Sequence, residues 1–285
     1  MTRVPTLADD QLLARLRLDP GAAECCIDLA KGTSLALELD FDGPQPRHFG
    51  APPASSSPFT IGSFNGDVRR GASCNCRTLT LTPHCNGTHT ESVGHLTETS
   101  VPLHRFVPGA PLPALLLTLQ PQRAGDSGED SEPQPLRDDL LLTRAALLAA
   151  WPAAMPFRPR ALLLRTLPND DSKRARDYSG GNPPYLSRQL AADIVQRGIE
   201  HLVLDLPSAD RSDDGGRLTA HHLFFGLPPG STRHADAVRP HSTITEFAYM
   251  PDALSDGCYA LQLQLPAFAG DAVPSRPLLF PLVAT

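Results

Sequence analysis

The sequence predicts a single α/β domain with mixed sheets and flanking helices, and three consecutive stretches carry that prediction. ALLLRTL (161–167) is a short, continuous apolar run of the length of a buried strand. SRQLAADIVQRG (187–198) puts Leu190, Ile194 and Val195 on one helical face, with a serine at its start and a glycine at its end. HLVLDLPS (201–208) is a second apolar strand running into a loop. Strand, helix and strand in this order imply a βαβ unit with parallel pairing, set beside an alternating, β-rich first third. No internal repeat and no convincing linker separates two cores. The expected division is an N-terminal extension at 1–33 and one domain at 34–285.

The remaining elements follow in chain order. DDQLLARLRL near the N-terminus spaces its leucines for a short amphipathic helix. SLALELDFD (34–42) alternates like a strand, and GPQPRHFGAPPASSSP (43–58) reads as a long loop holding His48. CNC (74–76) is not a C-x-x-C redox pair and is expected to be two small, half-buried strand residues flanking an asparagine. RTLTLTPH (77–84) alternates clearly and reads as a strand. QPQRAGDSGEDSEPQPL (120–136) is acidic and poor in apolar residues, so an exposed or disordered insertion is expected there. RDDLLLTRAALLAAW (137–151) should then form a helix with acids in its first turn, where the helix dipole favours them.

Composition excludes several classes. The 285 residues are 41% hydrophobic and 20% charged, ordinary values for a globular chain with a sizeable core. A net charge of −6 offers no basic stripe for a phosphate backbone, so nucleic acid is not an expected partner. The N-terminal stretch lacks the apolar core of a signal peptide, and no stretch stays apolar for about 18 residues, so a cytoplasmic location without membrane contact is expected. Six cysteines are too sparse for a disulfide framework, and most should be thiols. Thirty prolines, 21 glycines and 6% aromatic residues predict many turns and exclude a helical bundle.

The chemistry concentrates in TLTPHCNGTHTESVGHLTE (80–98), where a cysteine, three histidines and two acids crowd into strand and turn. Cys85, His89, Glu91 and His95 are separated by even steps. In an extended chain they would project to one face and His84 to the other, unless Gly87 marks a turn that resets the faces. Cys85, His89 and Glu91 could then share an ion.

These residues resemble the metal-dependent cyclase family, which includes bacterial kynurenine formamidases and isatin hydrolases and carries H-x-G-T-H-x-D-x-P-x-H. Here the same register reads Cys85-Asn-Gly87-Thr88-His89-Thr-Glu91-Ser-Val93-Gly-His95. Gly198-Ile199 and then Asp205-Leu-Pro207-Ser208-Ala-Asp210 are similar to a second family block ending in D-x-P-S-x-D. His221 or His222, Ile244-Thr-Glu246 and Ser275-Arg-Pro-Leu follow as a third. The resemblance spans roughly 34–282. Cys85, Glu91 and Val93 depart from the family's histidine, aspartate and proline; a thiolate still binds zinc, and His84 could swing in if the strand bulges.

The resemblance implies a domain of the swivelling β/β/α type, a homodimer, and one or two divalent ions, zinc or manganese, held by Cys85, His89, Glu91, His221 and Glu246. Glu91 would bridge between an ion at residues 85, 89 and 91 and a second at His221 and Glu246. His95 would be the catalytic proton carrier. His234, twelve residues before Glu246, rivals His221, which is preferred because AHHLFFG follows the DLPSAD loop as the family's histidine segment does. His222 and His241 are expected to be packing or surface residues. Ser208 lacks a G-x-S-x-G elbow and is expected to shape its loop. The implied activity is hydrolysis of a small amide, formamide, lactam or ester by a metal-activated water, arylformamidase-like in acting on a non-peptide C–N bond. The alternatives are a catalytically weakened binding or scaffold protein, and a metal-dependent cyclase or lyase.

Overall fold

The computed structural model describes residues 12–18 and 24–283. Its centre is four parallel strands, Leu112–Leu119, Ala161–Thr166, His201–Leu204 and Thr243–Glu246, lying side by side in that order. Their burial explains their composition: Leu162, Leu163 and Leu164 have no exposed surface, because both faces of the sheet are covered. Antiparallel strands extend this core in both directions. Gly257–Gln264 and Arg276–Val283 add to one edge, and His89–Glu91 followed by Ala272–Pro274 add to the other, in an eleven-stranded mixed sheet.

The expected helix Arg188–Gln196 forms as its end signals predict. The Ser187 hydroxyl accepts from Leu190 N at 3.0 Å, and Gly198 takes a positive φ of 77°. Leu190, Ala191 and Ile194 pack on one face of the sheet against Leu162, Leu164, Leu202 and Leu204. On the opposite face Leu163, Val203 and Leu279 cluster with Leu35, Ala248 and Met250. Leu164→Ala should cost about 2–5 kcal/mol, because the removed carbons leave a cavity that a strand between two strands cannot collapse. A thermal melt unchanged from wild type would contradict that packing.

Three expectations are corrected. Leu13–Leu16 is a strand and not a helix: it pairs antiparallel with Cys25–Asp28, which joins Arg276–Val283, so the described part of 1–33 adds to the sheet. Asp9 to Gln11 lie outside the described residues. So short an apolar stretch fits either period, and here the Cys25–Asp28 partner decides. In RDDLLLTRAALLAAW the first half is the strand Leu140–Leu142, and the helix is only Arg144–Ala150, capped by Thr143. Asp139 is not in a helical turn at all; it accepts from the hydroxyl of Tyr185 at 2.8 Å. Cys74 and Cys76 are exposed and outside any strand. All six cysteines are free thiols, as expected.

SLALELDFD contributes only Ser34, the end of the strand Thr33–Ser34, and an isolated bridge at Ala36, and Leu37 N is taken by the Thr88 hydroxyl. Within RTLTLTPH the strand is Arg77–Thr80, and it pairs with Ser55–Pro58 at the end of the 43–58 stretch. The 120–136 segment is largely exposed and holds a short strand, Gln122–Arg123, and a single helical turn, Ala124–Ser127. Glu129 accepts from Arg144 N and Ala145 N at the start of one helix and from the hydroxyl of Ser187, the residue that caps the next. No helix among the described residues is long and apolar enough to cross a membrane.

Candidate metal centre

The site lies at the carboxyl end of the parallel strands, where open α/β sheets place their ligands. Strand register assembles it. Glu246 ends its strand directly opposite His89, and Glu91 lies opposite Ile244. The Thr90 and Thr245 hydroxyls meet at 2.7 Å, and the Thr88 hydroxyl donates to Phe247 O, so the two strands are locked together between their functional side chains. Phe247, next to Glu246, holds a positive φ of 53°, a strained conformation for a bulky residue and one that this locking sustains.

Glu91 is the centre. It is fully buried, with His221 Nε2 at 2.8 Å from Oε1 and His84 Nδ1 at 2.9 Å from Oε2. His89 Nε2 lies 4.0 Å from Glu91 and 3.5 Å from Glu246, and His221 Nε2 lies 3.6 Å from Glu246. His89 Nε2 and both Glu91 oxygens have no partner in hydrogen-bond geometry, despite the short approaches of the neighbouring rings. Three orphaned buried donor atoms facing one another are costly unless something with positive charge joins them.

Outer groups orient these donors. His89 Nδ1 is 3.1 Å from Gly87 O, so its Nε2 is presented inward. His221 Nδ1 is held at 2.6 Å by Asp210, which also accepts from the backbone N–H groups of Ala220 and His221. A carboxylate behind an imidazole fixes its orientation and raises its basicity toward a metal. Ala209 N donates to Glu246 Oε1 at 2.7 Å. Ser208 accepts from Asp210 N and shapes the loop, as its sequence context suggested.

Electrostatics follow from this crowding. Burial alone would raise the Glu91 carboxyl, but His95 and His221 hold it well below the usual carboxylate range. Burial opposes charge on His221, yet Glu91 and Asp210 raise it well above an ordinary histidine. His84 is likewise disfavoured by burial, and Asp271 and Glu91 lift it to about 9. His95 goes the other way: burial lowers it, and the nearby imidazoles add to the effect. Its side chain is 28% exposed, and together with His84 and Asp271 it forms the solvent side of the cluster.

Of the residues singled out in the sequence, His89, Glu91, His221 and Glu246 come together. His89, Glu91 and Glu246 form one group of donors mutually within 4.8 Å, and His84, Glu91 and His95 form another. Cys85 belongs to neither. The even-step argument fails there because Thr82 to Gly87 is a turn: Thr82 O accepts from both Cys85 N and Asn86 N, and Gly87 has a φ of 78°. Burial and the Glu246 carboxylate push the Cys85 thiol up, which favours its protonated form. His222 is turned onto Leu227 O, the His241 ring lies tilted 5.2 Å from that of Phe106, and His234 opens a short turn, His234–Asp236, and is in neither group of donors. His48 is buried with Nε2 on the Ser212 hydroxyl. Asp210 and Asp271 had no role assigned from sequence. Asp210 closes the quoted D-L-P-S-A-D block, so a signal existed, whereas nothing around Asp271 pointed to the site.

A family model described as "Putative cyclase" matches residues 27–211. The chain belongs to the cyclase family. Solved structures share its fold. A Bacillus stearothermophilus protein described as a predicted metal-dependent hydrolase aligns with a TM-score of 0.54 and 16% identity over 88% of this chain and 98% of that one. Isatin hydrolase A from Labrenzia aggregata, bound to benzyl benzoate, gives 0.56 and 17% over 88% and 93%. Isatin hydrolase A from Ralstonia solanacearum gives 0.54 and 17% over 89% and 92%. At such identities the likeness to these structures speaks for the cyclase fold alone. A search of curated proteins finds no match for this cyclase-family chain.

Proposed function

We propose that this protein is a metal-dependent hydrolase that cleaves a small amide, formamide, lactam or ester, with a non-peptide C–N bond as the preferred target. The observation that carries this is the set of orphaned buried donors, His89 Nε2 and both Glu91 oxygens, with His221 and Glu246 converging on the same space. Imidazole and carboxylate donors suit zinc or manganese, and His89, Glu91, His221 and Glu246 would hold the ion. When bound, such an ion makes water nucleophilic near neutral pH and polarises a carbonyl.

The chain's own residues supply the rest. Asp210 keeps Nε2 of His221 directed inward, and Glu91 supplies the buried negative charge that draws in a cation. His95 is the proton carrier. It stands on the solvent side, its ring is close to Glu91 and His221 without a hydrogen bond of its own among the described residues, and its lowered pKa keeps it neutral at neutral pH. A neutral imidazole there can take a proton from water and deliver it to a departing amine.

The test is elemental analysis of protein purified without chelators, followed by a panel of formamides, lactams, lactones and esters. Zinc or manganese at about one or more per chain together with turnover supports the proposal. Protein that neither contains these metals nor takes them up, and that turns over none of the panel, defeats it.

Metal uptake should also depend on pH in a defined direction. His221 is raised well above its ordinary value, so at neutral pH it must lose a proton before its Nε2 can bind a metal. Zinc affinity should therefore rise with pH above neutrality, with protons released on binding. Calorimetry in buffers of different ionisation enthalpy reads that release directly. Affinity independent of pH, with no proton released, would contradict it.

A further inference from the structure

Glu91 lies between two imidazoles of matching construction. On Oε1 stands His221 Nε2 at 2.8 Å, and its other nitrogen is 2.6 Å from Asp210. On Oε2 stands His84 Nδ1 at 2.9 Å, and its other nitrogen is 2.9 Å from Asp271. Each ring is thus gripped from outside by an aspartate and aimed at the same buried carboxylate. This is how proteins build a metal-binding histidine, with one nitrogen for the ion and the other fixed by a carboxylate.

The position of Asp271 is also prescribed. Ala272 pairs with Glu91 across the sheet edge, and Asp271 O accepts from Ser92 N at 2.9 Å. The carboxylate that holds His84 is therefore set by the strand that carries Glu91. Cys85, in contrast, lies in the turn that Thr82 closes, and its thiol is in neither group of converging donors.

We propose that His84 replaces Cys85 as a metal donor on the Oε2 side of Glu91, with Asp271 as its positioning residue. This deepens the proposed function and rests on it: with His84 in place of the cysteine expected from the sequence, every donor is nitrogen or oxygen. The centre should then accept manganese and cobalt as well as zinc, with no thiolate selecting softer ions.

The experiment compares wild type with His84→Ala, Cys85→Ser and Asp271→Asn, each stripped with chelator and then loaded with Co²⁺ or Zn²⁺. Wild type with cobalt should lack the near-ultraviolet thiolate-to-cobalt charge-transfer band. Cys85→Ser should bind zinc as wild type does. Asp271→Asn should weaken zinc binding by about 10–100-fold, the usual cost of losing a carboxylate behind a ligating histidine, and His84→Ala by at least as much. In both variants the cobalt d–d spectrum should shift while the metal-free melting temperature stays near wild type, which a purely structural role would not produce. A charge-transfer band lost in Cys85→Ser, or wild-type zinc affinity in His84→Ala, overturns this inference and leaves the hydrolase proposal standing. Failure of wild type to bind zinc, manganese or cobalt overturns both.

Discussion

Glu91→Gln should empty the centre of metal and abolish hydrolysis while the sheet remains folded. Both Glu91 oxygens are buried, each faces an imidazole nitrogen within 3 Å, and neither has a partner in hydrogen-bond geometry. An amide keeps the size of the side chain but removes the charge, and its NH₂ end would present protons to rings that must themselves turn nitrogen lone pairs inward. Outer carboxylates alone are worth about 10–100-fold in metal affinity, and loss of the central donor should exceed about 100-fold. Glu91→Ala should in addition destabilise the metal-free protein by about 3–5 kcal/mol, because it removes one member of a buried ionic cluster and leaves the others unpaired. Metal content by elemental analysis and melting by circular dichroism report the two effects separately. A Gln variant that keeps its ion at wild-type affinity would remove Glu91 from the centre.

His95→Ala should retain both ion and fold while losing most amide hydrolysis. Removing a positioned acid–base group costs about 10²–10⁴ in rate. The loss should be larger for amides than for activated esters, because an amine leaves poorly without a proton and a phenolate does not need one. Metal content, melting temperature and kcat for both substrate types decide the matter. The structure sharpens this test, since His95 also falls within 4.8 Å of donors on His84 and Glu91. A variant that loses metal would make His95 a ligand. One that keeps metal and full amide activity would place the proton carrier elsewhere.

Much of this was written locally in the sequence, and what was not has physical reasons. The βαβ unit was readable because Ala161–Thr166, Arg188–Gln196 and His201–Leu204 each carry their own period and end signals. His89 and Glu91 were readable because they share a true strand, where alternation holds. Just before that strand the alternation rule does not apply to His84 and Cys85, since hydrogen bonds closed by Thr82 replace the extended chain. The N-terminal leucines gave no warning of a strand because their partner, Cys25–Asp28, depends on Arg276–Val283 at the far end of the chain. Asp271 was invisible for the same reason: its place follows from the pairing of Ala272 with Glu91 and from the contact of Ser92 with Asp271, 179 positions apart. Local pattern reveals donors on regular elements, and long-range pairing decides which outer carboxylates hold them.

The most direct test of the central claim is anomalous diffraction from crystals of protein loaded with zinc, recorded on both sides of the zinc absorption edge. The account predicts a peak enclosed by His89, Glu91, His221 and Glu246, at about 2.0–2.2 Å from the donor atoms that bind it. Fully loaded crystals with no anomalous peak in that space, or with zinc only at a distant surface site, would contradict it.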